Sequence, residues 1–122
     1  MRAWLLLGAT NAFLAVVAGA FAAHGLRRVL DLDMLDTFRT AATYEMYHAL
    51  ALILVGLLAE RHPSVWADAA GYAFTLGVVL FSGSLYALSI TGVRALGMIT
   101  PFGGVSFLAG WVFLGIAGWR TN

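Results

Sequence analysis

Four runs of about twenty residues, almost free of charge, constrain this chain more than any other feature. They cover residues 3–23, 41–59, 69–90 and 102–119, and Glu45 is the only formal charge inside them. A helix of about 20 apolar residues crosses the hydrocarbon of a bilayer. The fourth run, 18 residues long, reaches roughly 27 Å at 1.5 Å per residue, enough if it stands nearly upright. Hydrophobic residues make up 61% of the chain and charged residues 11%, against about 25% charged in soluble domains. A chain of 122 residues cannot hide that much apolar surface in a soluble core. The expected fold is an all-α integral membrane protein, a single transmembrane domain over 1–122 built as a four-helix bundle.

Arg2 and the small residues 20–23 around the first run also fit a secretory leader with an A-x-A site. The run is longer than the usual leader core, so it reads as a retained span. Four spans put Trp4, Trp66 and Trp119 at span ends on the side of the amino terminus, where tryptophan suits the headgroup level. Three arginines fall on that side and four on the other, too even a split to fix orientation. All seven basic residues are scattered arginines, which argues against nucleic acid as a partner. With no cysteine, disulfides, thiolate metal sites and cysteine nucleophiles are excluded.

Residues 25–40, GLRRVLDLDMLDTFRT, alternate apolar and charged positions with helical spacing. This predicts an amphipathic interfacial helix from about Asp33, the expected N-cap, running into the second span. Pro63 breaks the chain in a short polar loop over 60–68. A second loop over 91–100 is expected to end with Thr100 as N-cap and Pro101 at the first helical position. Small residues repeat every four positions at Ala15, Gly19 and Ala23, at Ala67, Gly71 and Thr75, and at Ser106 and Gly110. Such stripes bring helices together in lipid, within one chain or between copies.

The polar residues of the spans gather in the half away from the termini. His24 ends the first span; Tyr44, Glu45, Tyr47 and His48 begin the second. Ser82, Ser84 and Tyr86 approach the same side in the third, and Thr100 and Ser106 in the fourth. Glu45 and His48, three apart, share a helix face, and intramembrane ionisable groups usually pair or face a wet cavity. His24, Glu45, His48 and Tyr86 are therefore expected to converge.

A structural polar network is the first reading of this cluster. Transport of protons or a small solute is the alternative, and His24 with His48 as axial haem ligands a further one. Glu-x-x-His occurs once, where a di-iron bundle needs two copies and two more glutamates. The serines lie in no G-x-S-x-G, so no hydrolytic set is proposed and an enzyme is not expected.

The segments GAFAAHGL (19–26), YEMYHALAL (44–52), FSGSLYAL (81–88) and ITPFGGVSFLAGW (99–111) resemble, in this order, the domain of unknown function 423 family of small bacterial membrane proteins, related to eukaryotic transmembrane protein 256. The resemblance covers nearly the whole chain. It implies a multi-pass protein of the bacterial inner membrane and no established activity. It also implies glutamine where Glu45 stands, a group that hydrogen-bonds but does not titrate. The lipid bilayer is the expected partner, with a homo-oligomer or a larger membrane complex beyond it, and no cofactor is expected.

Overall fold

The computed structural model describes residues 2–121. Four helical segments among them are long and apolar enough to cross a membrane: Arg2–Ala23, Leu32–Arg61, Val65–Thr91 and Arg94–Trp119. Helix α1 is Arg2–Ala23 and α2 is Leu32–Arg61. The third span is α3, Val65–Gly77, then a π-helical segment, Val78–Ser82, then α4, Gly83–Thr91. Helix α5 is Thr100–Trp119. Short 3-10 turns, Leu26–Arg28 and Arg94–Met98, fill the two connections on the side away from the termini.

The amphipathic helix runs into the second span as expected. Residues 32–40 form the first turns of α2, so the 30-residue helix starts well before its apolar run, and the earlier part of the stretch holds the 3-10 turn Leu26–Arg28. The N-cap is Asp31, whose carboxylate accepts from the Met34 N–H at 2.8 Å, and not Asp33, which lies in the first turn. The loop expected over 60–68 shrinks to three residues, because α2 runs to Arg61 and Ser64 caps α3 through the Ala67 N–H at 3.0 Å. Thr100 is the first helical residue of α5 rather than its cap, since its hydroxyl is bound elsewhere. Gly92, at φ +73°, ends α4 in the left-handed conformation that glycine adopts without strain.

Helix α2 and the third span pack on each other. Helix α1 lies mainly against α2, and α5 mainly against the third span. Lipid gives apolar side chains no drive to leave it for another helix, so these contacts need close backbone approach and dense packing. Glycine provides the approach. A Cβ at Gly8 would lie 2.6 Å from the Ala49 carbonyl oxygen, and one at Gly56 2.8 Å from the Leu5 nitrogen. On the other side, the Phe107 ring covers Gly77, the Phe74 ring covers Gly110, and Gly103 faces the backbone of Phe81.

Of the predicted stripes, the one on α1 is misplaced. Ala15 is buried, but Gly19 and Ala23 are exposed, and nothing approaches Gly19. The buried positions of α1 are Trp4, Gly8, Ala15 and Ala22, which follow the seven-residue repeat of a helix seam rather than a four-residue one. Trp4 is likewise no headgroup anchor. It is 4% exposed, its ring covers Gly71, and its Nε1–H donates to Asp68 Oδ1 at 2.9 Å. Trp66 packs on Phe113, whereas Trp119 is largely exposed.

Gly103→Leu should cost about 1–3 kcal/mol by overpacking against Phe81. Gly115→Leu, at a glycine with nothing within 4 Å, should stay within about 0.5 kcal/mol of the parent. Thermal unfolding of both variants in detergent checks this; equal melting temperatures would contradict the packing described.

Candidate functional site

The polar side chains of the spans form two separate groups, placed on two flanks of α2. On the flank toward α1 and α4, Tyr86 donates its hydroxyl proton to Glu45 Oε1 at 2.8 Å. The Tyr86 ring meets Phe38 edge-on, with centroids 4.9 Å apart. Glu45 is buried, and the pair lines a lipid-facing groove of about 410 Å³ with Leu14, Val17 and Phe21 of α1.

The flank toward α5 holds His48. Its ring stacks flat on Phe107, with centroids 3.5 Å apart and planes 6° from parallel. The Trp111 indole N–H donates to His48 Nε2 at 3.1 Å, and His48 Nδ1 lies 2.7 Å from the Tyr44 carbonyl oxygen. An indole nitrogen only donates and a carbonyl only accepts. Nε2 therefore carries the lone pair and Nδ1 the proton, which fixes a neutral imidazole with both nitrogens engaged. Tyr44, Tyr47, Phe81, Phe107, Gly104 and Trp111 line most of a groove of about 520 Å³ over this ring. Tyr44 and Tyr47 are exposed at its rim.

The remaining polar residues are cross-braces. Ser82 is fully buried and donates to the Ala41 carbonyl of α2 at 2.8 Å. Ser106 of α5 donates to the Ala73 carbonyl of α3 at 2.7 Å. Ser84 donates to the Phe81 carbonyl at 2.9 Å and lies 2.6 Å from Thr100 Oγ1. A serine has one proton, so Thr100 is the donor in that second contact. The π-helical segment makes this possible: its extra residue per turn shifts the following helix, with Phe81 aimed at α5 and Ser82 at α2. Among the described residues no buried side-chain nitrogen or oxygen lacks a partner.

The expected convergence is thus only partial. Glu45 and Tyr86 meet. His48 turns away from both and pairs with Trp111. His24 joins neither group; it is exposed beyond the end of α1 and lines a surface cavity with Arg27 and Arg28. The i and i+3 spacing puts Glu45 and His48 about 60° apart around the helix axis, and α2 has a different neighbour on each side of that arc. Trp111 was missed because an indole within an apolar run reads as packing. A donor one turn beyond Phe107, on a helix facing a histidine, was the available signal. Among the described residues no three His, Asp or Glu side chains gather as a metal site would require.

Residues 18–104 match the family described as protein of unknown function (DUF423). A UPF0382 membrane protein of Staphylococcus epidermidis is 47% identical over 96% of this chain and 95% of its own length. The UPF0382 membrane protein YwdK of Bacillus subtilis is 45% identical over 96% of each chain. One from a bovine strain of Staphylococcus aureus is 44% identical over 96% of this chain and 95% of its own. No solved structure matches.

Tyr86→Phe should cost about 1–3 kcal/mol, because it strips a buried carboxyl of its donor. Glu45→Gln keeps an acceptor for the Tyr86 hydroxyl and should change stability by less than about 1 kcal/mol. Unfolding in detergent compares the two; a neutral Tyr86→Phe would show that the bond holds nothing together.

Proposed function

The chain belongs to the DUF423 family of membrane proteins of unknown function, and we propose that it serves in the bacterial inner membrane as a non-enzymatic, self-associating accessory protein. The observation that carries this reading is the saturation of its polar groups. Ser82, Ser106, Tyr86 and Trp111 each spend their donor on a bond between spans. Groups used this way brace helices and are not free to bind and release a solute. His48 has no nitrogen left for a metal, and His24 stands in another cavity, so the two histidines do not fit axial ligation of a haem.

The aromatic groove between α2 and α5 supports self-association. Its rim exposes Tyr47, Leu50, Leu108 and Trp111 together on one face, and tyrosine and tryptophan are enriched where protein surfaces meet. With no native cysteine, a single introduced thiol reports contact between copies. In native membranes, Leu108→Cys should form a disulfide dimer on mild oxidation, whereas Leu6→Cys, exposed on α1, should not. Equal yields at the two positions would remove self-association through this face.

One observation favours a second reading, transport of protons. Glu45 is the only carboxylate within the apolar runs, and with Tyr86 it borders an open groove. Reconstituted vesicles separate the two readings. The accessory reading expects proton flux equal to that of empty vesicles; flux that Glu45→Gln abolishes would overturn it in favour of transport.

A further inference from the structure

The connection between α1 and α2 carries a cavity unrelated to either flank of the bundle. It measures about 660 Å³ and is lined by Ala23, His24, Gly25, Arg27 and Arg28. The chain reaches it one residue after the first span ends and turns there through the 3-10 segment Leu26–Arg28. His24 just before this turn and Arg27 and Arg28 within it line the same concave space. All three are exposed. Among the described residues neither arginine has an ion pair. The nearest carboxylate in sequence, Asp31, is turned to the Met34 N–H as the cap of α2 and does not neutralise them.

Two unpaired guanidinium groups and an imidazole around one concave space make a receptor for an anion with several acceptor oxygens. Arginine binds phosphate through paired, parallel N–H donors. Depth decides between sources of such an anion. The cavity sits where the first span leaves the hydrocarbon, at the level of lipid headgroups, and Phe21, Val29 and Leu32 beside it are apolar and exposed. A ligand that offers phosphate oxygens to the arginines and acyl chains to those three side chains satisfies both surfaces at once. We propose that the cavity of His24, Arg27 and Arg28 is a binding site for the phosphodiester headgroup of an anionic phospholipid. The assignment does not depend on whether the bundle is an accessory protein or a transporter.

Native mass spectrometry of the detergent-solubilised protein, titrated with phosphatidylglycerol or with phosphatidylcholine, tests it. Each arginine contact at a membrane surface carries about a fivefold gain for an anionic lipid, so with two of them phosphatidylglycerol should bind about twenty-five-fold tighter. Choline brings a positive charge toward the arginines and loses that gain. Arg27→Gln with Arg28→Gln should abolish the preference, while Arg61→Gln with Arg120→Gln, the same charge change at the other membrane face, should leave it. The single substitutions, each at an exposed side chain, should each remove about fivefold and serve if the double variant does not fold. Equal binding of the two lipids, or a preference that survives loss of both arginines, overturns the proposal. Calorimetric binding of inorganic phosphate as tight as that of phosphatidylglycerol would also overturn it, by showing a site for the free anion.

Discussion

Inside a bilayer a leucine gains nothing by exchanging lipid for a neighbouring helix, so the contact between spans rests on dispersion at short range and on hydrogen bonds that have no competing water. Both need backbones that come close. Gly8 and Gly56 let α1 and α2 meet, and Gly77, Gly103 and Gly110 let the third span and α5 interlock around Phe74, Phe81 and Phe107. The rest of the architecture follows from that closeness. Phe107 covers Gly77 with one part of its ring and His48 with its face. Trp111, one turn further along α5, is thereby brought within reach of His48 Nε2. The aromatic groove is thus a product of glycine on the facing helix as much as of the aromatic residues that line it.

The π-helical segment solves a different problem. The third span has to serve α2 and α5 at once, and a regular helix would hold one relation between its faces from end to end. Val78–Ser82 interrupts that relation. At its end Ser82 reaches Ala41, and beyond it Ser84 reaches Thr100 and Tyr86 reaches Glu45. These three successive bonds, on alternating sides, tie the end of the π-helical segment and α4 into the bundle where the glycine contacts thin out. The carboxyl of Glu45 is tolerable in this setting because it has a phenolic donor in Tyr86.

The four spans were legible because length and apolarity alone decide them. The first turns of α2 were legible from helical spacing. Cap identities were not, because Asp31 and Asp33 offer the same side chain two residues apart, and because the Thr100 hydroxyl is claimed by a serine 16 residues earlier. The seam of α1 was misread for a related reason. Small residues lie at both four-residue and seven-residue spacing, and only the partner helix selects between them. The polar half of the bundle was recognisable from residue type. Its division was not, because that depends on which helix borders each flank of α2. The matching relatives are known as membrane proteins, in agreement with the apolar runs, and the family description carries no activity.

The bond from Trp4 to Asp68 joins residues 64 positions apart, and it has a temporal side. When the first span leaves the ribosome, the indole at its start has neither its carboxylate nor the bare backbone of Gly71 to rest on. Both arrive only once the beginning of the third span has been translated. Until then the beginning of α1 is held by α2 at most, and Trp4 takes its final seat only after Asp68 and Gly71 have been made.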